Sequence, residues 1–418
     1  MDSIILRKDV QEKIQDIQEA DILVGIPSFN NERTIGHVVQ AVQAGLHKYF
    51  PDKKAVLVNS DGGSVDKTMQ IVDDTSIDMK SILLAHRVVS FHKIVTPYHG
   101  IPGKGSAFRT IFEIAKVLKA KACAVVDSDL RSITPEWIDL LIRPVLEDGY
   151  DYVAPYYRRH KYDGTITNMI VYPLTTTLYG KKIRQPIGGD FGFSGRLASF
   201  YLEKDVWETD VAKYGIDIWM TTSAIANGFK ICQSFLGAKI HDAKDPGSDL
   251  SAMLNQVCSS VFLLMSEYQE KWKEVREVVD VPTFGFKYAV GLEPIHVNTD
   301  AMIEKFALGA KELTPIWDSF LPRGVMWFLS SASDNGKDKF RFPDEIWVEI
   351  IYNFALAFHE KIMHHEHIIK SLTPLYIGKV ASFVLETWEM NSDEVEERLE
   401  ALTNAFFDFK QYIIERWE

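Results

Sequence analysis

Apolar runs too short for helices recur in the first third of the chain, each ending in a polar cluster followed by helical spacing. Ile22–Ile26 leads into Pro-Ser-Phe-Asn-Asn-Glu and then a helical segment over Thr34–Tyr49. Lys54–Asn59 ends in Ser-Asp-Gly-Gly-Ser and another helix; Gly105–Lys119 reads as a third helix and Ala122–Val126 as a buried strand. Strand–loop–helix units of this length build a parallel α/β sheet. Such sheets bind ligands beyond the carboxyl ends of their strands. The polar clusters Pro27–Glu32, Ser60–Ser64 and Asp127–Asp129 fall at those ends. From about 150 to 245 the chain is rich in Gly, Thr, Tyr and Arg, with short strand-like pieces. Beyond that, Leu250–Val279, Asp300–Ser319, Pro343–Ile369 and Ser392–Trp417 carry apolar residues near a 3.6-residue period. The expected organisation is a helical arm over 1–20, an α/β domain over 21–249 and a mostly helical domain over 250–418.

Composition narrows the partners. With 46% hydrophobic and 25% charged residues, the chain is an ordinary globular sequence. There is no run of 18 apolar residues, so no membrane span is expected. The first twenty residues are too charged for a secretory signal. Cys123, Cys232 and Cys258 form neither a CxxC pair nor a disulfide framework, which fits a reduced, cytoplasmic setting. Of the net charge of −12, the segment from Val290 to Glu418 carries −10, with 22 acids against 12 bases. That disfavours a nucleic acid as partner, while a small anion in a local basic pocket stays compatible. The apolar stripe Trp347, Ile350, Ile351, Phe354 and Phe358 in the acidic tail must be buried, and a homodimer through this region is the expectation.

Asp127-Ser128-Asp129, directly after the apolar Ala-Cys-Ala-Val-Val, is the sharpest chemical feature. Two carboxylates at a strand end suit one hard cation, and Mg²⁺ or Mn²⁺ typically takes one or two carboxylates plus phosphate oxygens. A helix-capping turn is the plainer alternative. Pro102-Gly-Lys104-Gly-Ser106 precedes a helix, where backbone N–H groups and a lysine can meet an anion. It is not a Walker loop, since the first Gly of the Gly-x-x-x-x-Gly-Lys-Ser/Thr pattern is missing. His241, after a strand-like segment, is a possible metal ligand, although a single histidine is more often structural. Tyr156-Tyr-Arg-Arg159 with Lys161 forms a basic island followed by Gly164-Thr165-Ile-Thr167-Asn168; arginine forks bind carboxylate or phosphate. His359, His364, His365 and His367 lack HExxH spacing and read as structural or surface residues.

Ile26-Pro-Ser-Phe-Asn-Asn-Glu32, Ser60-Asp61, Gly103-Lys-Gly105 and Asp127-Ser-Asp-Leu130 together resemble the nucleotide-binding half of GT-A glycosyltransferases. Tyr157-Arg-Arg159, Gln185-Pro-Ile-Gly-Gly-Asp190, Tyr214-Gly-Ile-Asp217 and Gly237-Ala-Lys-Ile-His241 resemble, more narrowly, the retaining mannosylglycerate synthase and glucosyl-3-phosphoglycerate synthase group. The likeness spans about residues 20–245. It implies a Rossmann-like GT-A domain that takes a UDP- or GDP-sugar donor and a small carboxylate acceptor, with a divalent metal. It implies that Pro27, Phe29, Glu32 and Asp61 line the base and ribose, with Lys104 and Ser128 by the nucleotide. Asp129 and His241 would ligate the metal, Asp127 and Asp217 would hold ribose or sugar, and Gly188 and Gly189 would floor the sugar. Arg159, Gly164, Thr165 and Thr167 would face the acceptor acid. Asn31 stands where the group often has an acid, and Asp190 where Glu is common.

Two other readings stay open at this level. A nucleotidyltransferase shares the α/β nucleotide fold but would want a Gly-x-Gly-Thr-Arg type loop after the first strand. A non-catalytic sugar-nucleotide-binding module is disfavoured by the intact acid pair, Lys104 and His241. The residues do not separate UDP from GDP, glucose from mannose, or glycerate from 3-phosphoglycerate.

Overall fold

The computed structural model describes residues 6–75, 91–98, 100, 102–212, 215–240, 251–288, 291, 295–333 and 337–418. The chain divides into two units. Unit 1 is Met1–Arg158, Arg184–Asp242 and Val281–Gly291; unit 2 is Arg159–Ile183, Ala243–Asp280 and Leu292–Glu418.

Unit 1 is built on strands β1 (Ile22–Ser28), β2 (Ala55–Asp61), β3 (Phe91–Pro97), β4 (Ala122–Val125), β5 (Tyr152–Arg158), β7 (Phe191–Ser194), β8 (Ile231–Ala238) and β10 (Thr283–Phe284). The two-residue strands β6 (Lys181–Lys182) and β9 (Val279–Asp280) pair with each other in unit 2. The main sheet runs β10-β8-β5-β7-β4-β1-β2-β3 and is parallel except for β7, which lies antiparallel to β4 and β5. This is the α/β sheet expected from the alternating strands and helices. The antiparallel β7 was not anticipated: it is only four residues long and has a glycine at its second position. β1 and β2 also run further than their apolar stretches, because Pro27 and Ser28 pair in register with Ser60 and Asp61. The backbone ladder therefore carries polar residues into the floor of the strand ends.

Helices α1 (Lys8–Ile17), α2 (Ile35–Tyr49), α3 (Thr68–Asp74), α4 (Lys104–Val117), α5 (Pro135–Leu146), α7 (Gly195–Leu202) and α8 (Ile216–Ala226) complete unit 1, while α6 (Tyr172–Tyr179) belongs to unit 2. Side chains alternate across a strand. Ile22, Val24 and Ile26 thus face α2 and α5, where Val38, Val42, Trp137, Ile138 and Leu141 close a fully apolar core. On the opposite face Gly25 lets α4 approach: a Cβ there would lie 2.6 Å from Ile111. Phe112 of α4 then packs against Phe193, Tyr201 and Trp207.

Unit 2 is helical: α9 (Ser251–Glu267), α10 (Gln269–Trp272), α11 (Thr299–Glu312), α12 (Thr314–Trp317), α13 (Arg323–Ser333), α14 (Asp344–His359), α15 (His365–Thr387), α16 (Ser392–Asp408) and α17 (Lys410–Arg416). The expected helix over Pro343–Ile369 is two helices, since Lys361 takes a left-handed backbone (φ 55°) between them. The single domain cut after residue 249 is revised. Residues 159–183 group with the helices because Trp347 Nε1 donates to Met169 O at 2.8 Å, and Lys410 Nζ to Thr177 O at 3.0 Å. The apolar stripe of α14 is buried inside unit 2, with Phe354 against Phe320 and Phe358 against Phe262. That stripe is therefore already covered, and the argument for a homodimer through it falls away. α15 is long and apolar enough to cross a membrane, but 72% of its apolar window is buried within the protein, as in a core helix. Of the histidine group, His364 and His367 are exposed. His359 stacks on Trp417 and bonds Ser266 Oγ at 2.9 Å, and His365 stacks on Phe358.

Candidate active site

The loops after β1, β2 and β4 are laced together at the carboxyl end of the sheet. Asn30 adopts a left-handed backbone (φ 52°); its N–H donates to Ser64 Oγ at 2.8 Å, and its Oδ1 accepts from Val65 N at 3.0 Å. Lys67 N donates to Glu32 Oε2 at 3.2 Å. Asn31 Oδ1 accepts from Ser128 Oγ at 2.7 Å, and Thr34 Oγ1 donates to Ser128 O at 2.8 Å. Asn31 and buried Ser128 thus clamp the Asp-Ser-Asp turn to the first loop. Asp61 is 1% exposed and accepts four hydrogen bonds, from Ser28 Oγ, Gly63 N, Ser64 N and Ser64 Oγ, at 2.7–2.9 Å. It shapes the second loop from beneath. Pro27 is buried in β1, whereas Phe29 is 59% exposed at the mouth of the first loop.

Next to these loops, oppositely charged side chains alternate. Lys104 opens α4, a poor place for a cation next to the positive helix end. It is held there by two carboxylates, Asp127 Oδ1 at 2.8 Å and Asp217 Oδ1 at 3.2 Å, the latter in the first turn of α8. Asp127 Oδ2 lies 2.8 Å from Lys239 Nζ, which also meets Asp190 Oδ2 at 2.8 Å and Gly188 O at 2.7 Å. Asp190 Oδ1 accepts from Asp127 N at 2.7 Å, and its Oδ2 accepts from the Tyr157 hydroxyl. Gly189 must be glycine: its φ is +89°, and a Cβ would lie 2.1 Å from Asp127 Oδ2.

This arrangement sets the protonation states. Burial alone would lower the Lys104 pKa, but Asp127 and then Asp217 outweigh it and hold the ammonium charged well above the usual lysine range. Burial would raise Asp127, but Lys104 and Lys239 outweigh it and keep that carboxylate ionised far below its usual range. Asp217 is the reverse: burial wins over Lys104 and its pKa is raised. The site thus holds one strongly anionic carboxylate, one whose charge is less favoured, and a fixed cation between them.

In the Asp-Ser-Asp turn both carboxylate oxygens of Asp127 lie on lysines. Asp129 is exposed at the strand end, a hard oxygen donor of the kind Mg²⁺ and Mn²⁺ take. His241 lies outside the described residues. Its neighbour Ile240 is nonetheless pinned beside the turn, since Arg131 N donates to Ile240 O and Ile240 N to Ser132 Oγ, both at 2.9 Å. Among the described residues alone, no group of three metal-capable side chains forms.

The acceptor candidates lie in unit 2. Gly164 turns with φ +65° and passes close to Arg159, whose Nη1 is 3.8 Å from Asp163 Oδ2. Thr165 is buried with its hydroxyl 2.5 Å from Tyr376 Oη, and buried Thr167 begins a short π-helix over Thr167–Val171. Of the residues singled out in sequence, Lys104, Asp127, Asp217, Gly188 and Gly189 are brought together. Lys239 and Tyr157 are members of the same network that were not singled out, and Asp190 was noted only as standing where Glu is common. All three sit inside the quoted motifs, but nothing local marks a lysine two residues before a histidine as buried.

The family model of the mannosylglycerate synthase GT domain matches residues 29–262. The chain is 24% identical over 254 residues to glucosyl-3-phosphoglycerate synthase of Mycolicibacterium smegmatis, spanning 57% of this chain and 76% of that protein. It is 26% identical over 273 residues to the Petrotoga mobilis enzyme of the same name, spanning 61% and 77%. Glucosyl-3-phosphoglycerate synthase from Mycobacterium tuberculosis, solved in complex with Mn²⁺, uridine diphosphate and glucosyl-3-phosphoglycerate, superposes with a TM-score of 0.44. That superposition has 20% identity and covers 62% of this chain and 84% of that one.

Proposed function

This chain belongs to the mannosylglycerate synthase family of glycosyltransferase domains, and from that premise we propose that it moves a hexose from a UDP- or GDP-sugar to a small acid. 3-Phosphoglycerate is the favoured acceptor, because both curated relatives bear the name glucosyl-3-phosphoglycerate synthase, with glycerate the variant. Glucose is the favoured sugar, since both curated relatives are named for glucosyl transfer. Transfer proceeds with retention of the anomeric configuration.

The observation that carries the proposal is Lys104 held between Asp127 and Asp217 at the carboxyl end of the sheet. In the reaction the bond from the sugar C1 to the diphosphate breaks and the acceptor hydroxyl oxygen bonds C1. The hydroxyl proton passes to the leaving phosphate on the same face, so no protein nucleophile is needed. Negative charge grows on the leaving diphosphate, and Lys104 is a charged, prepositioned group to meet it. Asp129 and His241 are the residues proposed to hold a divalent cation, which neutralises the same charge when bound. Asp127 and Asp217 orient ribose and sugar hydroxyls, Gly188 and Gly189 floor the sugar, and Pro27, Phe29, Glu32, Asp61 and Ser128 form or shape the nucleotide site. Arg159 holds the acceptor's acid group, assisted by Gly164, Thr165 and Thr167.

A donor-by-acceptor matrix tests this: UDP-glucose, GDP-glucose and GDP-mannose against 3-phosphoglycerate, glycerate and lactate, with Mg²⁺ or Mn²⁺ and with EDTA. The proposal expects a metal-dependent glycosylated acid. Pyrophosphate release would favour a nucleotidyltransferase instead.

A further inference from the structure

Two lysines meet Asp127, and they are not equivalent. The Lys104 side chain is 19% exposed, whereas that of Lys239 is 3% exposed. An ammonium has three donors. Those of Lys239 are matched by Asp127 Oδ2, Asp190 Oδ2 and Gly188 O, all within 2.8 Å. Asp190, fully buried, also takes the Asp127 N–H and the Tyr157 hydroxyl. Asp127 is therefore gripped twice by one buried pair: its backbone by Asp190, its carboxylate by Lys239. The same ammonium fixes the carbonyl of Gly188, next to the glycine that must lack a Cβ for Asp127 to fit.

We propose that Lys239 and Asp190 are positioning residues of the transfer reaction: they act through Asp127 and the Gly188-Gly189 turn and do not touch the substrate. The proposal rests on the donor-site reading above. Its physical basis is that a buried Lys239 with its donors already spent cannot turn to a diphosphate without abandoning two carboxylates, a loss that buried charges resist. Lys104, more open and at a helix start, keeps the substrate-facing part.

A double-mutant cycle of Lys239→Met, Asp127→Asn and the pair tests it. The readouts are kcat, donor KM, and calorimetric binding of UDP with Mn²⁺. Lys239→Met should lower kcat by roughly 100-fold, as loss of a group that orients the reacting centre does. In the Asp127→Asn background the same change should cost less than about threefold, since residues acting as one unit are not additive. Losses that multiply would mean that Lys239 meets the substrate itself and would overturn the proposal. A purely structural role would lower the melting temperature while leaving kcat per folded molecule intact, which also overturns it. If Lys239→Met does not fold, the near-isosteric Asp190→Asn takes its place in the cycle with the same expectation. A wild-type chain that binds neither UDP nor GDP contradicts the donor-site reading and the positioning role together; multiplicative losses in an active enzyme contradict only the latter.

Discussion

Buried or half-buried lysines occur in both units, and their partners decide their charge. Lys104 in unit 1 lies against two aspartates and is held charged, its pKa raised despite burial. Lys379 in unit 2 has Asp344 at 2.5 Å, but Arg398 shares that carboxylate, and burial wins: its pKa is lowered. Lys410 hydrogen-bonds to the carbonyls of Thr177 and Val275, and burial, helped by Arg276, brings it down to about 7. Two carboxylates thus keep an ammonium charged, whereas one shared carboxylate or carbonyls alone let burial lower the pKa, and the series divides there. On the proposed function, the difference separates a cation kept ready for an incoming anion from lysines that tie helices together.

The largest effect expected from this contrast is at Lys104. Lys104→Met should lower kcat by about 100- to 1000-fold, the range for removing one preorganised charge partner of a developing anion. Circular dichroism should show an intact fold, and a kcat within a few-fold of wild type would break the contrast. The next effect asks whether unit 2 takes part in chemistry at all. Arg159→Ala should raise the acceptor KM by roughly 10- to 100-fold, as loss of a charged hydrogen bond does, with donor KM little changed. Arg159→Lys should restore only part, because a point charge lacks the bidentate fork. Equal effects on donor and acceptor would place the acid site elsewhere.

A smaller effect concerns stability. Free lysine titrates near about 10.4, so between about pH 7 and 10 the unfolded chain keeps a proton that folded Lys410 has shed. Stability should rise with pH across that window, and be lowest below it, where the folded state must bury the charged form. Thermal melts of Lys410→Met should lose that slope; an unchanged slope would remove Lys410 from the series. The smallest effect is at the opposite end of the sheet, where Lys121 and Asp21 form an ion pair in which the lysine side chain is 69% exposed. Exposed pairs contribute little, so Lys121→Ala should leave both melting temperature and activity unchanged.

Much of unit 1 was legible because its signals are local. Apolar runs followed by polar clusters marked β1, β2 and β4; a strand end singled out Asp127, and a Gly-Lys-Gly loop before a helix singled out Lys104. Asp217 came through the family likeness, which the match over residues 29–262 supports. What escaped depended on long-range packing. Asp190 and Lys239 become a pair only because β7 inserts antiparallel between β4 and β5, and four residues carry too little pattern to reveal that. The allegiance of residues 159–183 rests likewise on partners about 180 or more residues away, such as Met169 with Trp347 and Thr165 with Tyr376. Burial of the α14 stripe could not be assigned to inside or outside from periodicity, which marks an apolar face but not what covers it.

The most direct test of the donor site is a crystal structure of the protein with UDP and Mn²⁺. The account predicts the cation on Asp129 and His241 and the diphosphate within hydrogen-bonding reach of Lys104, with Lys239 still on Asp127 and Asp190. A nucleotide bound away from the carboxyl ends of β1 and β4, or a diphosphate that leaves Lys104 untouched between Asp127 and Asp217, would contradict it.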